Sequence, residues 1–149
     1  MKNTELYIAG DWVSGASKER FNVYNPADET ILASVASAEI EDTEKAMSAA
    51  EAAFEPWAQK SARDRAEVLR KAFDLMIARR DEFARLITLE NGKAGTDATG
   101  EAVYAAEFFR WFSEEAVRSE GIVGKGPSSN ARIIVQNKPA GIAVLVTPW

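Results

Sequence analysis

The five residues Ile142-Ala143-Val144-Leu145-Val146 are apolar at every position. A strand with one solvated face alternates apolar and polar side chains, whereas an unbroken apolar run fits a strand covered on both faces, as in the parallel sheets of α/β domains. Such a strand needs parallel neighbours. The rest of the sequence supplies no comparable run, so the expected partners lie beyond Trp149, and an α/β fold with a strand over Gly141 to Val146 is the expectation.

The segments before it read as short strands and then helices. Leu6-Tyr7-Ile8 and Trp12-Val13 flank Ala9-Gly10-Asp11, a hairpin signal. Arg20 to Tyr24 alternates around Phe21 and Val23, Asn25-Pro26 makes a turn, and Ile31 to Val35 is a further brief apolar segment. Ser37 is read as opening a helix with Glu39, Glu41 and Asp42 in its first turns, where the helix dipole favours acids. Ala46, Ala49, Ala50, Ala53, Phe54 and Trp57 give that helix one apolar face, and Pro56 is read as its end. A second helix starts at Ser61, three residues before Asp64, and buries Ala66, Leu69, Phe73, Met76 and Ile77. A third, from about Asp81, buries Phe83, Leu86 and Ile87 and stops at Asn91-Gly92. A fourth runs from near Gly100 to near Glu120, with Tyr104, Phe108, Trp111, Phe112 and Ala116 as an apolar stripe. Gly121 to Asn130 is turn chemistry, Ala131 to Val135 a strand, and Asn137-Lys138-Pro139 a break.

Composition narrows the chemistry. The chain has 149 residues, 46 % of them hydrophobic, enough for a sizeable core, and a net charge of −5. That charge argues against a nucleic-acid surface, which needs a basic face to displace counterions from phosphates. The amino terminus has no apolar run of the secretory kind, and Ala140 to Val146 is far too short to cross a bilayer. A cytoplasmic protein with no membrane or nucleic-acid partner is therefore expected. The chain has no cysteine and no histidine. Disulfides, thiolate metal sites, cysteine nucleophiles and the commonest general base are excluded within it. A self-sufficient enzyme with neither residue is left with few mechanisms, and no metal site is expected.

The glycines of Gly121 to Gly126 (GIVGKG) run into Pro127 and serines rather than a helix, so they read as a turn and not a phosphate cradle. Glu114-Glu115 point in different directions from one helix and read as a solvated face. The aromatic stripe from Tyr104 to Phe112 reads first as core and second as a ligand wall, and Trp12 and Trp57 read as core anchors. Val146-Thr147-Pro148-Trp149 lie at the carboxyl end of the apolar run, where open α/β sheets place ligands. On the residues alone, a cofactor crevice and an ordinary strand end are evenly matched there.

Taken in order, the motifs resemble the amino-terminal part of the aldehyde dehydrogenase superfamily, and the resemblance covers the whole chain. Its carriers are Tyr7-Ile8-Ala9-Gly10-Asp11-Trp12, Asn25-Pro26-Ala27, Ala50 to Trp57, Arg65-Ala66 with Leu69, and Leu89-Glu90-Asn91-Gly92-Lys93. The most specific is Pro139-Ala140-Gly141 followed by the apolar run and Thr147-Pro148-Trp149. Pro-Ala-Gly stands here where the family usually has Pro-Val-Gly. Trp111 to Ala116 with Arg118, and Arg132 to Val135, are similar to the succinate-semialdehyde dehydrogenase branch. A glutarate-semialdehyde or betaine-aldehyde type remains open.

The resemblance implies a Rossmann-like NAD(P)-binding domain: strands and a helical layer over 1–120, an oligomerisation arm over 121–139, and the first strand of the dinucleotide-binding sheet over 140–149. It implies oxidation of a small-molecule aldehyde, first of all succinate semialdehyde, with NAD or NADP, in a parent that is a homo-oligomer, a dimer or tetramer. The family's cysteine, glutamate and asparagine match no position here, the asparagine being expected directly after Trp149, so the chain by itself is expected to be inactive. Val146, Thr147, Pro148 and Trp149 match the cofactor wall, and Phe108 and Phe112 are carried over as substrate-tunnel candidates. The rival expectation is a non-catalytic helical module that binds partners through its four helices.

Overall fold

The computed structural model describes residues 4–128 and 130–147. Six short strands and four helices follow in the order β1 (Leu6–Ile8), β2 (Asp11–Val13), β3 (Arg20–Tyr24), β4 (Ile31–Ala36), α1 (Ile40–Ala58), α2 (Ala62–Ala78), α3 (Arg80–Asn91), α4 (Gly95–Ala116), β5 (Ile122–Lys125) and β6 (Arg132–Val135). The strands form three separate antiparallel ribbons, β1–β2, β3–β4 and β5–β6. The first closes through Ala9 and Gly10, both at positive φ (55° and 94°), as a two-residue turn of the kind that suits strand twist. In the second, Asn25 turns the chain as expected: its side-chain oxygen accepts from the Ala27 N–H at 3.0 Å. Arg20 then binds this ribbon to the amino terminus, donating to Glu5 Oε1 (2.7 Å), Thr4 Oγ1 (2.7 Å) and the Ser34 carbonyl (2.8 Å).

Asp42 locks the start of α1. It is buried, and one carboxylate oxygen accepts from the backbone N–H of Glu39 (3.0 Å) and of Ala16 (2.9 Å), so the β2–β3 loop and the helix share one anchor. Glu39 is thus the capping residue, two positions later than Ser37. The two N–H groups, that of Ala16 foremost, hold the Asp42 carboxyl below its usual pKa. The anchor therefore contributes stability at any pH above the unfolded carboxylate's value of about 3.9, and that contribution is lost as pH falls through the lower folded value. Amide exchange at Ala16 and Glu39 should accelerate on acidification below that range and become pH-independent, beyond intrinsic chemistry, in Asp42→Asn. Unchanged protection in the variant would mean the carboxylate is not the anchor.

Pro56 does not end α1, which continues to Ala58. A proline in the last turn forfeits one hydrogen bond, and its fixed φ is already helical. Ser61 caps α2 as expected, its hydroxyl accepting from Asp64 N–H at 3.0 Å, and Gly92 ends α3 in the left-handed conformation (φ 77°). The fourth helix begins at Gly95, earlier than Gly100, and Gly100 lies inside it. The roughly 1 kcal/mol that each helical glycine costs is offset where the helix packs, and α4 packs extensively against both α2 and α3.

The buried face of α4 is made of small residues, Ala98, Ala102, Ala106 and Ser113; Ala66 of α2 and Ala84 of α3, the two helices it packs against, are buried as well. Among the described residues no large side chain is fully buried. Leu69, Phe73, Met76, Ile77, Phe83, Leu86 and Ile87 are half-buried. Trp12 and Trp57 are exposed rather than core anchors. The chain exposes 11518 Å², whereas a compact monomer of this size exposes roughly 7,500 Å².

Two segments of the carboxyl end differ from expectation. β5 occupies Ile122–Lys125, inside the stretch read as turn, because its pairing partner Arg132–Val135 closes back on it. Gly141 to Val146 forms no strand: it pairs with nothing among the described residues, and Val146 is 89 % exposed. An all-apolar strand needs neighbours on both edges and cover on both faces, and the described residues provide neither. No helix among them is long and apolar enough to cross a membrane.

Candidate functional site

The stripe from Tyr104 to Phe112 faces away from the core. The alanines at 98, 102 and 106 recur every four residues, and at 100° per residue the aromatic positions lie about 140° round the helix from them. Tyr104 is 66 % exposed, Phe108 47 %, Trp111 64 % and Phe112 54 %. Its reading as core is thus overturned. With Glu107 these four rings line an open apolar depression of about 340 Å³, and Tyr104 meets Phe108 edge to face at 5.0 Å. Phe108 and Phe112, the expected tunnel residues, are brought together there. Tyr104 and Trp111 join them, and their spacing in the sequence already signals it.

The electrostatics of this wall are quiet. Glu107 is paired with Arg110 at 2.6 Å, and the Arg110 guanidinium is turned toward α2, where it lies 5.5 Å from the Phe73 ring centre. The wall itself therefore offers aromatic faces and edges, and hydrogen bonding only at the Tyr104 hydroxyl, the Trp111 indole and Glu107. It can shape an apolar stretch of a ligand and exclude water from it. It holds no nucleophile, and no cluster of three or more potential metal-ligating side chains exists among the described residues.

Of the expected cofactor wall, Val146 and Thr147 are exposed and stand apart from the aromatic depression; Pro148 and Trp149 lie outside the described residues. Open backbone next to apolar side chains fits one face of a planar ring system. The phosphates of a dinucleotide call for a glycine-rich strand-to-helix turn, and the described residues after Val135 contain no helix.

Two motifs far apart in sequence meet in space. Gly92 ends α3 so close to the Asn25-Pro26 turn that a Cβ on it would sit 3.1 Å from Pro26 Cγ. Next to it, Lys93 Nζ pairs with the carboxylate of Glu101 in the second turn of α4. Leu89-Glu90-Asn91-Gly92-Lys93 is thus a joint among the β3–β4 turn, α3 and α4.

Comparison with known proteins agrees in one direction. The model of the aldehyde dehydrogenase family matches residues 12–149. A succinate-semialdehyde dehydrogenase of Paenarthrobacter nicotinovorans is 51 % identical over 119 residues, covering 80 % of this chain and 26 % of that protein. A glutarate-semialdehyde dehydrogenase of Pseudomonas aeruginosa is 41 % identical over 145 residues, covering 97 % and 30 %. The crystal structure of a betaine aldehyde dehydrogenase from Staphylococcus aureus in complex with NAD+ superposes with a TM-score of 0.80 at 30 % identity, over 84 % of this chain and 26 % of that one. The chain thus spans between a quarter and a third of the length of these relatives. With a family match that runs from the second strand to the last residue, and with most of the chain superposing on a solved relative, this chain belongs to the aldehyde dehydrogenase family.

Proposed function

We propose that the chain is the amino-terminal part of an NAD(P)-dependent enzyme that oxidises succinate semialdehyde to succinate. The observation that carries this reading is the 51 % identity to a succinate-semialdehyde dehydrogenase. In this reading the aromatic face of α4 lines the aldehyde pocket, with Phe108 and Phe112 at its centre and Tyr104 and Trp111 at its flanks. Val146, Thr147, Pro148 and Trp149 line the cofactor, which supplies the hydride acceptor when bound. This chain's own part is to bind, orient and keep water from the aldehyde's carbon chain, since it has neither cysteine nor histidine to attack it or move its protons. Residues 121–139 serve as the arm between subunits: β5 and β6 form a lone two-stranded ribbon with Ile122, Val123, Ile133, Ile134 and Val135 exposed, and such a ribbon is stable only when joined to other strands or packed.

Glutarate semialdehyde is the second reading, favoured by the 41 % identity over nearly the whole chain. It differs from succinate semialdehyde by one methylene, worth only about 1–3 kcal/mol in an apolar pocket. The test is steady-state kinetics of the full polypeptide with both semialdehydes and betaine aldehyde, each with NAD+ and NADP+. The expected outcome is the highest kcat/KM for succinate semialdehyde, with none of these activities in the 149-residue chain alone. A higher kcat/KM for glutarate semialdehyde moves the assignment to the second reading. Turnover of no aldehyde by the full polypeptide rejects both and leaves a binding module.

A further inference from the structure

The start of α4 is weakly held by its own sequence. Its capping residue is Ala94, which has no side-chain acceptor for the free N–H groups of the first turn, and glycines stand at positions 95 and 100. A lysine just before a helix also faces the unfavourable end of the helix dipole. Lys93 nevertheless sits there, between the left-handed Gly92 and Ala94, and its ammonium is neutralised by Glu101 across the turn. The two side chains are 36 % and 38 % exposed, among the better shielded ion pairs of the described residues.

Glu101 is not on an arbitrary side of the helix. Positions 101, 104, 108, 111 and 112 fall on one stripe at helical spacing, so the carboxylate that holds Lys93 heads the row of rings lining the aromatic depression. Lys93 in turn is fixed by Gly92, whose missing Cβ allows the close approach to Pro26. A path therefore runs from the β3–β4 turn through Gly92 and Lys93 to Glu101, which lies one turn before Tyr104 on the same stripe. Within the row, Arg110 ties Glu107 and reaches the Phe73 ring of α2, so the helix that carries the wall is tethered at the head of the row and again in its middle.

We propose that the Lys93–Glu101 pair sets the position of the aromatic wall along α4, making both positioning residues for the carbon chain of the aldehyde. The inference rests on the reading that this wall lines the aldehyde pocket. A shift of the order of 1 Å in a positioning element is enough to alter catalysis measurably, and the weak start of α4 leaves no other polar tether at that end among the described residues.

The test uses the full polypeptide in four forms: Glu101→Gln, Lys93→Met, Lys93→Arg and the exchange Lys93→Glu with Glu101→Lys. Each is measured for KM, kcat and the kcat/KM ratio of succinate to glutarate semialdehyde, beside its thermal midpoint. The expected result is a KM raised about fivefold in Glu101→Gln and Lys93→Met, with kcat within about twofold and the semialdehyde ratio changed, a scale set by one partly shielded ion pair. Lys93→Arg keeps the parent values, and the exchanged pair recovers at least half of the loss, because an acid at position 93 also suits the helix dipole. Parent KM and ratio in both single variants overturn the inference. So does a loss that tracks the thermal midpoint and leaves the ratio untouched, since that is a merely structural pair. Failure of the parent to oxidise any aldehyde is a different result, seen before any variant is made, and it rejects the reading of the pocket itself.

Discussion

Replacing Ala106 with leucine should destabilise the full polypeptide by about 1–3 kcal/mol, the range for overpacking a closed helix contact. Ala106 is completely buried on the face of α4 that also carries Ala98 and Ala102, and α4 packs against α2 and α3. A helix pair joined through alanines has its backbones close together, so three added carbons find no space to enter. Either α4 shifts bodily outward or the leucine adopts a strained rotamer. The aromatic wall shares the same helix, so an outward shift would move it as well. The control is Ala52→Leu on the exposed side of α1, where a surface change is worth within about 0.5 kcal/mol. Thermal or denaturant unfolding of both variants beside the parent distinguishes the two. Equal stability of Ala106→Leu and the control would mean that α2 and α4 are not held through their alanines.

This contact also explains where the sequence could be read and where it could not. Signals that act within a few residues were legible: the Ser61 cap, the Gly92 stop, the Ala9-Gly10 hairpin and the Asn25 turn all lie where their local chemistry puts them. What failed was the assignment of faces. Helical spacing suggested that Tyr104, Phe108, Trp111 and Phe112 were core, yet the full burial went to the alanines on the other side of α4. The four-residue recurrence of Ala98, Ala102 and Ala106 was the available clue. Because α4 has an apolar side and a small-residue side, periodicity alone could not say which one meets α2. The run Ile142 to Val146 failed for a different reason. Its pattern describes a strand with neighbours and cover, and a strand is a property of a pair of segments, of which the described residues hold only one. Of the candidate site, family resemblance singled out Phe108 and Phe112, and helical spacing placed them on one face with Tyr104 and Trp111, where the depression lies.

Phe108→Ala in the full polypeptide should lower kcat/KM for succinate semialdehyde by roughly 10- to 200-fold, the factor that 1–3 kcal/mol of lost apolar contact in a pocket represents. Phe108 is the ring that the depression is built around: Tyr104 packs edge-on against it at 5.0 Å, and Phe112 lies one turn further along the same face. Removing it both widens the pocket and frees the Tyr104 ring to turn. Most of the loss should appear in KM, because a contact made equally to substrate and transition state changes binding without changing the chemical step. A longer or bulkier aldehyde should lose less, and could gain, since the space opened beside the wall is apolar. Stability should hardly change by comparison with Ala106→Leu: Phe108 is 47 % exposed and its removal leaves no closed cavity within this chain. Opposite outcomes at two positions half a turn apart on one helix would assign the two faces of α4, one to packing and one to substrate. A Phe108→Ala enzyme with parent kcat/KM and parent selectivity would remove the aromatic face from the pocket, and with it the role assigned to Glu101 and Lys93.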